Sequence, residues 1–217
     1  SNDELLEVLG QAKDPRNIQP HMGKCFDAVK SLEFGDQATG AVDINAMISL
    51  KGERIALGKN LKARGPVEEW LMDFEVDMQK TLTALVKEGV QSYGEYEREQ
   101  WIRKCKGQVV ATVTQIMWSR GCEKSLRAKN VKTSMTGWYE DNVKQLSTLT
   151  RLVRGILTSL ERRIIVALCT VDVHARDIVH ELLEANVQST DDFKWQQQLR
   201  NYWLDDTNEF VVRQSTS

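Results

Sequence analysis

The last proline of this chain is Pro66, so 151 of its 217 residues follow without one imposed helix break. Apolar residues in that long stretch recur at helical spacing. Val67, Trp70, Leu71, Phe74, Met78, Leu82 and Leu85 form one stripe after the Gly65-Pro66 start signal. A Gly/Ser/Tyr break at 89–94 follows, then a short helix around Glu95–Lys104. Val109 to Trp118 is rich in β-branched residues, yet Val109, Val110, Val113, Ile116 and Met117 fit a 3.6-residue period better than alternation, which predicts helix. The longest periodic run is 131–168, either one rod of ~55 Å at 1.5 Å per residue or two helices with a hidden break. A helix over about 174–186 comes next. Ser189-Thr190-Asp191-Asp192 reads as a capping box for a last helix carrying Phe193, Trp195, Leu199, Tyr202 and Trp203.

Asn2 can cap a helix over 3–12, and Pro20 opens a second with Met22, Cys25, Phe26, Val29 and Leu32 on one face, ended by glycines 35 and 40. Ile44, Ala46, Ile48 and Leu50 then alternate with polar residues, and Lys51-Gly52-Glu53 turns into Arg54–Leu57. This is the one good β-hairpin of the sequence. The fold class expected is mainly α, an elongated helical bundle arm with one small hairpin at about 43–57. Its parts are a helical pair (1–34), a loop with the hairpin (35–64), a helical bundle (65–213) and a short tail (214–217).

Composition narrows the function classes. Net charge is only −2 and no run of 18 apolar residues exists, which gives neither a broad field for nucleic acid nor a spanning segment. No partner of either kind, nucleic acid or membrane, is expected. Acidic residues outnumber basic ones over 1–50 and 171–217, with a basic excess over 111–170 between them. Four cysteines without a CxxC pair are too few for a disulfide scaffold, which points to a reducing compartment. The start at Ser1, with no initiator Met and no leader pattern, reads as a piece excised from a longer chain.

No motif for chemistry survives inspection. Gly52–Asn60 (GERIALGKN) has five residues between its glycines where a phosphate loop needs four, and Asn60 stands where a hydroxyl would hold magnesium. His180-Glu181-Leu182-Leu183-Glu184 is a zincin-like run lacking its second histidine, and His174 lies about 120° round the helix from it. No cysteine sits in a nucleophile setting. No catalytic, cofactor-binding or metal-ligating residue is therefore expected. The basic group Arg120, Lys124, Arg127, Lys129 and Lys132 reads as a solvated face or a dock for an acidic protein surface. An alternating hairpin with too little partner surface of its own makes Ile48 and Ile55 candidate interdomain contacts, as the tail aromatics Trp195, Tyr202 and Trp203 also are.

Specific strings then match a family. Cys169-Thr170-Val171-Asp172-Val173-His174-Ala175-Arg176-Asp177-Ile178-Val179, followed by Asp192-Phe193-Lys194-Trp195 and Gln198-Leu199-Arg200-Asn201-Tyr202-Trp203, resembles the stretch before the motor ring in dynein heavy chains. Ser1–Leu6 with Gln19-Pro20-His21, Gly65–Leu71, and Gly107–Val110 with Gln115–Trp118 agree in order and spacing. The Val171–Asp177 form is similar to the axonemal type. Lys104-Cys105-Lys106 departs from the family's aromatic-proline step, and the loop at 35–43 is short. The resemblance implies the C-terminal part of the linker, a helical lever arm preceding the first AAA+ module, with 214–217 as the junction. It implies no enzyme activity and no cofactor here, with ATP and Mg in the parent ring. Implied partners are the AAA+ ring of the same heavy chain, microtubules through the parent motor, and other dynein subunits. The implied location is the cytoskeleton of a cilium or flagellum, its axoneme, with cytoplasm as the alternative. A non-motor helical protein-binding scaffold is the alternative function.

Overall fold

A computed structural model describes residues 14–38, 41–58 and 61–216; the expected helix over 3–12 lies outside them. The chain divides into two compact units, Ser1–Leu82 and Thr83–Ser217.

In the first unit, Asp14 accepts a hydrogen bond from the Arg16 N–H (2.9 Å) and opens a 3₁₀ helix, Pro15–His21, which runs into one turn of α-helix, α1 (Met22–Cys25). The helix expected to reach Leu32 stops there. Val29 and Leu32 belong instead to strand β1 (Val29–Ala38), which also contains Gly35. Register explains the misreading: Val29 pairs with Ser49 and Ser31 with Ile48, so Lys30 is an extra residue in the ladder. That bulge puts residues three apart on one face, which imitates helical spacing.

Strand β2 (Ala41–Ser49) is central, antiparallel to β1, to β3 (Arg54–Ala56) and to β4 (Lys62–Ala63). The expected hairpin exists, with Gly52 at φ +86° supplying its turn, but it sits in a four-stranded sheet. The outer edge of β1 is occupied: the Gln19 amide donates to Leu32 O (2.6 Å) and accepts from Leu32 N–H (2.9 Å), and Arg16 donates to Gly35 O (3.2 Å). A side chain thus does the pairing of a missing strand. Helix α2 (Val67–Ser92) begins in this unit and brings Trp70 and Phe74 edge-on to Phe34 and Phe26, with ring centroids 6.5 and 5.1 Å apart.

The second unit holds the end of α2, then α3 (Arg98–Lys104), α4 (Gly107–Leu126), α5 (Val131–Val153), α6 (Ser159–Glu184) and α7 (Phe193–Gln196), followed by strands β5 (Arg200–Leu204) and β6 (Glu209–Arg213). Helix α4 confirms the period-based reading of 109–118. Gly89 is no break. A Cβ there would lie 2.8 Å from Val109, so glycine lets α2 and α4 approach closely, and α2 ends before Gly94 at φ +92°.

The 131–168 run is two helices, and the second passes unbroken through the point where a separate 174–186 helix was expected. Thr158 and Glu161 form the capping box that starts α6, while Arg162 donates to the Val153 and Gly155 carbonyls (2.7 and 3.4 Å) left open by the end of α5. The two helices pack antiparallel, with Leu149 and Leu152 of α5 in one core with Ile165 and Leu168 of α6. Ile156, at the tip of their connection, is 100 % exposed.

The last helix is corrected too. Only Phe193–Gln196 is helical, with Asp192 accepting from Lys194 N–H (2.8 Å), and no capping box forms over 189–192, where Ser189 Oγ accepts from Asp191 N–H instead (3.1 Å). Residues 200–213 make a second antiparallel hairpin. Asn201 and Trp203 are buried and their neighbours less so, which is the period of a strand. The fold is mainly α, as expected, with six strands among the described residues where one hairpin was expected.

Candidate functional site

The chemistry of the second unit is concentrated in its polar joints. Arg98, on α3, donates through Nη1 to Gln145 Oε1 on α5 (2.6 Å) and through Nη2 to Asp172 Oδ2 on α6 (2.5 Å). The two charged side chains are only 12 % and 5 % exposed. Burial pushes the Asp172 carboxyl above its ordinary range, and the Arg98 charge pulls it back only in part. One guanidinium therefore fixes three helices against one another at a site where a misplaced partner would leave a charge without water. Sequence reasoning missed this joint. A signal was present, since Asp172 sits four residues after Leu168 and seven before Val179, on the buried stripe of α6.

A second joint ties the C-terminal hairpin to α4. The Tyr202 hydroxyl donates to Glu123 Oε1 (2.6 Å), whose other oxygen takes Arg127 (2.9 Å). Asn201 N–H donates to Ser119 Oγ (2.9 Å), and Arg120 reaches Asp205 at 3.5 Å. Burial, and then the Glu123 carboxylate, push the Tyr202 phenol up to about 12 from an ordinary 10.0. A raised folded-state value means that this contribution to stability is present below pH 10 and is lost as pH rises through 12. Burial also raises Tyr93. Following phenolate absorbance with pH should therefore show late ionisation from Tyr93 and Tyr202, and Tyr202→Phe should remove one late step and flatten the alkaline loss of stability. An alkaline titration left unchanged by Tyr202→Phe would contradict the geometry.

The five residues expected to face another domain are placed unevenly. Ile55 is buried in the first unit's sheet, and Ile48 is half-buried between Ser31 and Arg54. Trp195 is fully buried beside Trp118, with centroids 5.7 Å apart, and Trp203 joins the core that contains Trp101 and Leu149. Tyr202 is half-buried at its joint with Glu123.

Gly52 to Gly58 is hairpin and loop, with Lys59 and Asn60 outside the described residues. His180 pairs with Glu184 (3.4 Å) on an exposed helix face, and among the described residues no three His, Cys, Asp or Glu side chains gather as they would around a metal ion. Burial raises the thiols of Cys25, Cys105, Cys122 and Cys169, the reverse of what a nucleophile needs. No helix among the described residues is long and apolar enough to cross a membrane.

Comparison with known proteins supplies what the joints cannot. Residues 1–89 match the family model "Dynein heavy chain, N-terminal region 2". The whole chain aligns with human dynein axonemal heavy chain 6 at 41 % identity and with the Chlamydomonas reinhardtii dynein-1-beta heavy chain of the flagellar inner arm I1 complex at 36 %; 94 % of it aligns with mouse dynein axonemal heavy chain 12 at 39 %. The chain spans only 6 %, 5 % and 6 % of the length of these three relatives. The family model and the end-to-end alignments together support the dynein heavy chain family, axonemal type.

Proposed function

We propose that this chain is the C-terminal part of the linker of an axonemal dynein heavy chain, an arm that carries no catalysis itself. It couples nucleotide-dependent changes in the ATPase ring of the same heavy chain, where ATP and Mg act, to displacement along microtubules in a cilium or flagellum. The observation that carries this reading is the alignment of the entire chain with heavy chains named as axonemal or flagellar. The build of the second unit suits the task. Helices α5 and α6, of 23 and 26 residues and so about 35 and 39 Å long, lie side by side and resist bending better than either would alone. Ile48 and Tyr202 keep surface with which to meet a neighbouring module and remain the candidates for that contact.

The test is made in the full heavy chain. Thr150 is exposed near the end of α5, its hydroxyl donating to Leu146 O (3.0 Å), and proline there removes a helical hydrogen bond and clashes with the preceding turn at a cost of ~3 kcal/mol. Thr150→Pro should lower microtubule gliding velocity more than it lowers ATPase turnover. Normal velocity in a folded variant would remove α5 from the transmission path.

A further inference from the structure

The C-terminal hairpin is covered along one edge and open along the other. On β5, Asn201 N–H donates to Ser119 Oγ (2.9 Å) and Trp203 O accepts from Arg120 (3.5 Å), so α4 takes the outer backbone groups of that strand. On β6, no strand pairs with the outer edge among the described residues. An antiparallel ladder alternates, so the pairs Asn201–Val212 and Trp203–Phe210 turn their N–H and C=O groups away from each other, which sends those of Phe210 and Val212 out along the free edge. Their side chains are exposed as well, by 43 % and 47 %. An edge of this kind is a template for another strand.

Charge says which strand. Arg200 and Arg213 stand directly opposite each other at the open end of the hairpin, an unfavourable pair, and neither forms an ion pair among the described residues. Arg200 Nε is buried without a hydrogen-bond partner, and Arg213 lies over the Tyr202 ring at 5.2 Å. The other end carries Asp205, Asp206 and Glu209, whose carboxylate accepts from the Thr207 hydroxyl through one oxygen (2.9 Å) and keeps the second free for a cation. The hairpin is thus basic at one end and acidic at the other. We propose that β6 pairs antiparallel with β6 of a second copy of this chain, about a two-fold axis at Val211. The register follows from the charges. Setting Phe210 or Val212 against its own copy leaves Glu209 or Arg213 opposite Val211, whereas setting Phe210 against Val212 puts Glu209 of each copy opposite Arg213 of the other. Phe210 and Val212 then share the face that holds Trp203, and their outward backbone groups bond across the axis. Glu209 and Arg213 occupy the non-hydrogen-bonded positions, where cross-strand side chains come closest, and an acid reaches the opposed arginines. The result is an isologous sheet of four strands, two from each copy.

Sedimentation velocity of the full chain over a rising concentration series should show a reversible dimer. Glu209→Arg and Arg213→Glu each set like charges opposite one another twice in the interface, and each should weaken association about tenfold. An equimolar mixture of these two variants restores both opposite-charge pairs, so it should dimerise as tightly as the parent chain. Val212→Pro removes an N–H that points to the free edge in the single chain, and should abolish association while the circular dichroism spectrum stays that of the parent. All three positions are exposed, which leaves the core intact. A chain that stays monomeric at every concentration, a dimer indifferent to the charge reversals, or a mixture no tighter than its separate variants would overturn the proposal.

Discussion

Arg98→Met should destabilise the helical unit by about 3–5 kcal/mol, the usual cost of leaving a buried charge without its partner. The methionine nearly fills the space of the arginine stem, so the loss comes from Asp172, which is 5 % exposed and then faces no cation. Arg98→Met with Asp172→Leu removes both charges and should recover most of that loss, because a buried pair contributes little net stability compared with apolar residues of similar volume. The sign of the pH dependence separates this account from a packing defect. With Arg98 gone, the Asp172 carboxyl has only the burial that raises it, so the single variant should regain stability as pH falls through the folded-state value and the group becomes neutral. Urea unfolding followed by circular dichroism at several pH values gives the result directly. A pH-independent deficit would mean that the stem and not the charge matters.

Trp195→Ala should cost about 3–5 kcal/mol in this chain by itself, with no other domain present. The side chain is fully buried, tilted against Trp118 at 5.7 Å and covered by the Arg200 guanidinium 5.8 Å from its ring. Its indole N–H has no partner, so Trp195→Phe gives up volume but no hydrogen bond and should cost less than ~1.5 kcal/mol. Thermal and urea melts of the two variants decide the matter. Were Trp195 mainly an interdomain contact, as its place near the chain end suggests, the alanine variant would melt like the parent and fail only in the complete heavy chain.

These two residues show where local information stopped. Helices whose signals are contiguous were legible: Gly65-Pro66 starts α2, the 3.6-residue period carries α4 despite its β-branched residues, and the alternation at 44–50 with Gly52 makes the central hairpin. The Thr158-x-x-Glu161 box that starts α6 is equally local, and it sets the break at 154–158 and not after 168. The strands misread as helix have another cause. Val29 and Leu32 share a face only because Lys30 bulges against β2, and Tyr202 and Trp203 extend only because 209–213 returns to pair with them. Both pairings are made with residues outside the window in which a period is counted.

The sequence by itself determined the family likeness, the mainly helical class and the poor prospects for chemistry, since each rests on residue types and spacings along the chain. Only the tertiary structure decided what those residues meet. It buried Trp195 and Trp203, and set Arg98 against Asp172 across 74 positions. A partner that far away leaves no periodic trace, because its choice depends on which helix faces which once the apolar stripes have packed, and that arrangement exists only in the folded chain.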